Sequence, residues 1–309
     1  MGLRIVPGSA NTVLAGAIAK SLDTEPVTCK LDRFPDGEMR PVVNPVRGDD
    51  VYVIQPTGPP VSDHLIELLL LLDACRRDGA GRITAVVPYF GYARQDRRGR
   101  SGEPVGARVA ADALAASGAQ CLVVVDPHSA ALEAMCGIPV EILTAVPALA
   151  EALAPDVPGD AVVVAPDLGA VKLAKHYASL LQVAVVRKTR LTGATVRAEE
   201  IAGHVAGRPA IIVDDMISTG ATIEAATQVV LAHGGTSVIV VAATHGLLVG
   251  GAARRLRGLP IRRVVTTDTL PQGRSAALAL QVESVAPLLA DAISRLHHNQ
   301  PLAGLLART

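Results

Sequence analysis

The densest chemistry in this chain lies in one nonapeptide, Asp214-Asp215-Met216-Ile217-Ser218-Thr219-Gly220-Ala221-Thr222, set between an apolar strand pattern and a helical one. Backbone N–H groups at a helix start make a cradle for phosphate, with Gly220 permitting close approach and Thr219 and Thr222 offering hydroxyls. The lysine of a Walker loop is missing. Two carboxylates would repel a phosphate directly, so beside one they serve to accept hydrogen bonds from sugar hydroxyls or to hold Mg²⁺. A ribose bearing a 5′-phosphate meets both demands. The plainer reading, in which the acids only cap the helix, needs one acid and leaves the other unexplained.

Further signals point to polyanions. Between Asp167 and Glu199 there is no acidic residue, while Lys172, Lys175, Arg187, Lys188, Arg190 and Arg197 accumulate. The chain has only five lysines, which makes Lys188 beside Arg190 conspicuous. A compact ammonium next to a guanidinium can follow charge migrating between phosphate oxygens, whereas the alternative is a surface lysine at a strand end. His128 follows the apolar run CLVVVDP and Asp167 follows VVVAP. Strand C-termini are where α/β proteins gather ligands, so the pair is a candidate for a metal, with Asp126 in support. Of six aromatic residues, Phe34, Tyr89, Phe90 and Tyr92 cluster in two segments. Phe34 is the better partner for a flat base, since Tyr89 and Phe90 end an apolar strand and read as core. Arg94 and Gln95 follow in a polar loop, where a guanidinium fork suits a triphosphate. The nearby Arg97, Arg98 and Arg100 read as a solvated run.

The elements that must position these groups repeat. Residues 5–22 and 164–181 both run from an apolar strand through Pro and a small-residue turn into a helix. Strand, Gly-containing loop, helix, Gly stop and strand then recur from VIQPTGPP and from IIVDDMISTGAT. Apolar runs alternating with helical segments predict parallel sheets flanked by helices. We therefore expect two tandem α/β domains, 1–148 and 149–309, with the QPTGPP loop of the first copy degenerate. A swap of the last elements between halves would move the seam, and the tail from His297 onward reads as a frayed end or an interface strip.

Composition narrows the classes. The 309 residues are 50% hydrophobic and 19% charged, so the chain is not of the disordered type. Its 29 basic and 29 acidic residues cancel, which removes a chain-wide footprint for nucleic acid or an acidic membrane. No run of 18 apolar residues exists and the start does not read as a signal peptide, so a cytoplasmic chain is expected. Cys29, Cys75, Cys121 and Cys136 are scattered, and read as buried thiols in place of a zinc site or disulfide framework.

The nonapeptide resembles the phosphoribosyl-diphosphate loop of the phosphoribosyltransferase superfamily. From about residue 4 to 298 the chain is similar to the ribose-phosphate pyrophosphokinase family, through FPDGE at 34–38, RGDDVYVIQ at 47–55, AGRITAVVPYFGYARQDRR at 80–98, DPH at 126–128, PDLGAVKLAK at 166–175, KTR at 188–190 and VDDMISTGAT at 213–222. The resemblance implies two phosphoribosyltransferase-like domains. It also implies transfer of the diphosphoryl group of Mg²⁺-ATP to the 1-hydroxyl of ribose 5-phosphate. By that resemblance Phe34, Asp36, Gly37, Glu38, Arg94, Gln95 and Asp96 contact ATP. Asp214, Asp215, Ser218, Thr219, Gly220, Ala221 and Thr222 take ribose 5-phosphate, His128 and Asp167 bind Mg²⁺, and Lys188 and Arg190 lie on a flexible catalytic loop. It further implies homodimers assembled into a larger ring such as a hexamer, with the FPDGE loop completing a neighbour's site. Ser218 stands where Asp is usual in the family and Ala221 where Gly is usual. A phosphoribosyltransferase and a non-catalytic regulatory paralogue are the rival readings.

Overall fold

The computed structural model describes residues 1–192, 197–272 and 278–307, with the backbone but not the side chains of 156, 187–192 and 197–201. It divides into two compact units. The first comprises Met1–Thr144, Thr269–Pro271 and the described residues from Ser284 onward, and the second Ala145–Asp268 and Gln272–Glu283.

The first unit is built on a parallel sheet in the order β1 (Leu3–Pro7), β4 (Asp50–Ile54), β5 (Arg82–Val87), β6 (Cys121–Val125), β7 (Val140–Leu143). The apolar runs that suggested strands are buried along nearly their whole length, as a sheet covered on both faces requires. Helices α1 (Thr12–Ser21), α2 (Val61–Asp78) and α3 (Gly106–Ser117) make the crossovers, and a separate antiparallel hairpin pairs β2 (Cys29–Arg33) with β3 (Met39–Val43).

The second unit repeats the order with β8 (Val162–Ala165), β11 (Ala210–Ile217), β12 (Ile239–Gly246), β13 (Ile261–Thr267) and β14 (Leu280–Glu283). Here the counterpart of the hairpin joins the main sheet. Strand β9 (Ala184–Thr192) adds in parallel to β8, and β10 (Arg197–Ala202) returns antiparallel to β9. Helices α6 (Val171–Leu181) and α7 (Ala221–Ala232) follow β8 and β11.

Two sequence-based boundaries change. A single cut after residue 148 assigns the C-terminal helix, α9 (Ala286–His297), to the second half, but it packs on α1 of the first unit. Helix α5 (Val146–Leu153) instead packs in the second unit against α6, β12 and β13. The physical reason is a buried polar lock. Asp50, 1% exposed, accepts hydrogen bonds from Arg82 Nε at 2.7 Å and from the Tyr52 hydroxyl at 3.0 Å, and His297 Nδ1 lies 2.7 Å from it. Arg82 also donates to the Leu296 carbonyl at 2.9 Å, so its guanidinium bridges β4 to the end of α9. Burial pushes the Asp50 carboxyl upward, but the bonds from Arg82, His297 and Tyr52 outweigh it and hold the group below the usual range.

Nor does the tail fray. The Ala307 N–H donates to the Ile142 carbonyl at 2.8 Å and Thr144 N–H to Leu305 at 3.1 Å, which extends the edge at β7. Only Cys75 is fully buried, while Cys29, Cys121 and Cys136 are half-buried, and all four are free thiols. No helix among the described residues is long and apolar enough to cross a membrane.

Candidate active site

The first unit carries a cleft of about 590 Å³ lined by Arg94, Gln95, Asp96, Arg97, Glu103 and His128, among others. Its floor begins where β5 ends. Tyr89 and Phe90 turn inward and are 4% and 3% exposed, which fixes the chain before it leaves the core. The Thr57 hydroxyl then accepts the Gly91 N–H at 2.7 Å, and the Gln95 N–H closes a turn onto the Tyr92 carbonyl at 2.8 Å. Arg94 and Gln95 consequently face solvent on a pinned turn. His128 enters from the loop after β6, and Ser129 on that loop hydrogen-bonds Asp96. Against a burial cost, Ser129 and Arg97 keep the Asp96 carboxyl low. Sequence reasoning missed Ser129, since nothing in a lone serine signals that contact.

The FPDGE segment is the tip of the β2–β3 hairpin. Phe34 N–H donates to the Glu38 carbonyl at 2.8 Å, Glu38 N–H donates to the Asp36 carboxylate at 3.1 Å, and Arg33 holds the Gly37 carbonyl at 2.8 Å. Phe34 is 43% exposed with the Arg40 guanidinium 5.0 Å from its ring centroid, a cation–π contact. No hydrogen bond or ion pair among the described residues joins this tip to the Arg94 cleft.

In the second unit the nonapeptide runs from the end of β11 into α7. β11 pairs with β8 in the register Ala210↔Val162 to Ile212↔Val164. Continuing that register sets Asp214 level with Pro166 and Asp215 level with Asp167, so three acids gather where β8 has ended and β11 runs on beside it. The consequence shows in Asp214, whose carboxyl is pushed well up by burial, then by the charges of Asp215 and Asp167. The Asp167 carboxylate also accepts the Ala170 N–H at 3.0 Å, which shapes the turn into α6.

The loop itself is oriented by its carbonyls. Leu248 N–H donates to Ile217 O and Val249 N–H to Ser218 O, both at 3.0 Å, and Arg255 Nη1 donates to Thr219 O. In a trans peptide the C=O and the next N–H point oppositely. Tying these three carbonyls on one side therefore turns the N–H groups of Ser218, Thr219 and Gly220 to the other. Gly220 is the N-cap of α7 at φ +77°, a left-handed conformation that glycine adopts without penalty, and no side chain caps the helix. Three loop N–H groups and a helix start without a side-chain cap are the donors from which an anion site can be built. Thr219, Ala221 and Thr222 are exposed along it, while Ser218 is half-buried.

Lys188 and Arg190 do not fall in a loop. Their backbone belongs to β9, where they pair with Ile201 and Glu199 of β10; their side chains lie outside the described residues. An antiparallel partner strand supplies the hydrogen bonds that a weakly periodic sequence did not announce. Among the described residues no three His, Cys, Asp or Glu side chains converge as a metal cage. His128 belongs to the first unit and Asp167 to the second.

A parallel sheet flanked by helices recurs in the two tandem units, the fold of the phosphoribosyltransferase class of α/β protein, and the second unit alone of the two brings paired acids to a loop that enters a helix. Residues 3–118 match the N-terminal domain of ribose phosphate pyrophosphokinase, and residues 190–307 match the phosphoribosyl synthetase-associated domain. The chain is 42% identical to the ribose-phosphate pyrophosphokinase of Rhodopirellula baltica, with 98% of each chain covered. It is 39% identical to that of Caldanaerobacter subterraneus, covering 98% of this chain and 97% of the relative. The crystal structure of phosphoribosylpyrophosphate synthetase from Mycobacterium smegmatis superposes with a TM-score of 0.90 at 35% identity, covering 97% of this chain and all of the other. The chain belongs to the ribose-phosphate pyrophosphokinase family.

Proposed function

We propose that this protein is a ribose-phosphate diphosphokinase. The 1-hydroxyl of ribose 5-phosphate loses its proton as its oxygen bonds to the β-phosphorus of ATP, the bond from that phosphorus to the α,β-bridging oxygen breaks, and AMP leaves with that oxygen. Family membership supports the reaction. The observation that carries the substrate side is the loop after β11, where N–H groups turned to one face meet paired carboxylates.

In this reading Ser218 to Thr222 hold the 5′-phosphate, and Asp214 and Asp215 accept hydrogen bonds from the ribose hydroxyls. The cleft of the first unit takes the nucleotide, with Arg94 as a fork for phosphate oxygens beside Gln95 and Asp96. Phe34, Asp36, Gly37 and Glu38 sit on an exposed tip separate from that cleft, an arrangement suited to completing the nucleotide site of a second copy in a dimer-based ring. Lys188 and Arg190 stabilise the charge that builds as the bridge breaks; phosphoryl transfer asks mostly for positioning and neutralisation.

The residues present fit Mg²⁺. Three acids near one another, with Asp214 pushed toward its neutral form, are relieved by a hard cation. Without a protein cage among the described residues, each unit would offer its own donor, Asp167 beside the paired acids of the second unit and His128 in the cleft of the first, with substrate oxygens and water supplying the other ligands. When bound, the ion neutralises polyphosphate charge.

The test is AMP formation from ATP with and without ribose 5-phosphate and Mg²⁺. Formation that requires both supports the reading. A protein that consumes phosphoribosyl diphosphate instead is a transferase, and one that forms no AMP in any combination is a binding paralogue.

A further inference from the structure

We infer that Arg255 is a positioning residue for the 5′-phosphate loop, the side-chain member of a brace that fixes which way the loop's peptides face. The inference rests on the reading of Ser218 to Thr222 as the phosphate site. The brace is the segment from Leu248 into α8 (Ala252–Arg257). Its first two contacts are backbone N–H groups on the carbonyls of Ile217 and Ser218. These suffice for two peptide planes. The third plane, between Thr219 and Gly220, is where the chain bends left-handed into the helix start, and its carbonyl is held by the Arg255 guanidinium.

The geometry of that guanidinium is specific. One edge, Nη1, donates to Thr219 O, while Nε pairs with Glu224 Oε2 at 3.0 Å in the first turn of α7. A planar fork bound at two points cannot rotate away from either. The pairing with Glu224 has a second effect, because an unopposed carboxylate in the first turn of α7 would repel the anion that the same turn must receive. Apolar packing completes the fit. Leu256, 1% exposed, lies 3.3 Å from where a Cβ on Gly220 would sit, and so seats α8 against the loop. Arg255 touches no substrate in this account. It holds the carbonyl whose opposite N–H does.

The experiment compares Arg255→Gln, Arg255→Lys and Gly220→Ala in the full-length protein, by steady-state kinetics in both substrates and by calorimetric binding of ribose 5-phosphate and of unphosphorylated ribose. We expect Arg255→Gln to raise the KM for ribose 5-phosphate about 10-fold or more, the scale of one lost hydrogen bond to a charged group, with the KM for ATP within about twofold. Ribose binding should not move, and Arg255→Lys should recover part of the loss, because an ammonium keeps the charge but not the fork. Added guanidinium should restore ribose 5-phosphate affinity to an Arg255→Gly variant. If Gly220→Ala impairs ribose 5-phosphate while Arg255→Gln and Arg255→Lys do not, the brace is wrong and the phosphate loop stands. If no variant changes ribose 5-phosphate, the loop reading falls and takes the brace with it. Equal losses for ATP and ribose 5-phosphate would make Arg255 a general structural residue and overturn its assignment to the loop.

Discussion

The loop after β4 in the first unit and the loop after β11 in the second leave equivalent strands, yet their backbone groups are engaged differently. After β4 the loop donates: Gln55 N–H goes to the Val86 carbonyl at 3.0 Å and Thr57 N–H to the Tyr89 carbonyl at 2.9 Å. After β11 the loop accepts, through the carbonyls of Ile217, Ser218 and Thr219. One unit has used loop donors on its own neighbours; the other has turned them outward. The acids differ in step. Sheet register places Ile54 opposite Pro7 and so Gln55 level with Gly8, the positions that Asp214, Asp215 and Asp167 hold in the second unit. Gln55 is fully buried and its side chain accepts the Ala10 N–H at 3.0 Å. Where a ligand anion would lie in the β1–α1 turn, the Glu67 carboxylate already takes the Ser9 N–H at 2.6 Å. Leu270 fills the space over Gly58. The comparison teaches that a binding half and a filled half can share one fold, the difference being which peptide groups the neighbouring segment engages.

The largest effect that would sharpen this contrast is at Lys188. Its replacement by Ala should lower kcat about 10²- to 10³-fold, the scale of one preorganised charge lost from a transition state, with both KM values within a few fold. A variant that kept its kcat and simply needed more ATP would make Lys188 a ground-state clamp and weaken the assignment of chemistry to the second unit.

Asp214→Asn comes next. Loss of a charged acceptor should raise the KM for ribose 5-phosphate about 10- to 100-fold and the KM for ATP less. Its effect on folding has the opposite sign. Burial and two neighbouring carboxylates raise the native pKa of Asp214, so between about pH 4, where an unfolded Asp ionises, and that higher native value the native state holds more protons. Stability therefore falls as pH rises through this window. With Mg²⁺ and substrates removed, Asp214→Asn should melt above the parent at pH 7 and the gap should close below pH 4. A gap that did not vary with pH would show that the three acids do not strain one another, and the second unit would lose its electrostatic distinction from the first.

The smallest expected effect is also the most direct cross-check between the loops. In the first unit Gly58→Ala would press on Leu270 and cost about 1 to 3 kcal/mol by overpacking, read as a lower Tm with the ribose 5-phosphate KM within twofold. Gly220→Ala must hold a φ of +77°, at about 1 to 2 kcal/mol, and should raise that KM about 10-fold. Similar kinetic losses for both glycines would erase the distinction between a filled loop and a binding loop.

Much of this was legible from residues 5–22 and 164–181 alone. A strand ending at Pro, a short turn and a helix recur in both, and buried apolar runs with helical crossovers specify parallel sheets because backbone groups in a dry interior must pair and crossovers must cover both faces. The nonapeptide at 214–222 was equally readable, since its composition is local: phosphate cradles are made of consecutive backbone groups. What depended on tertiary structure was everything set by contacts between residues far apart in the chain. Arg255 lies in an arginine-rich stretch that looks like a solvated helix end, and only folding brings one of those guanidinium groups to the Thr219 carbonyl. Helix α9 follows the second unit in sequence, but its end meets the Asp50–Arg82 pair in the first because a buried charge must be compensated wherever its partners can reach it. Strand β9 carries Lys188 because β10 returns to pair with it, and pairing partners are a property of the fold. Local composition thus determined which atoms could bind a phosphorylated sugar. The direction in which those atoms point was decided by what packs behind them.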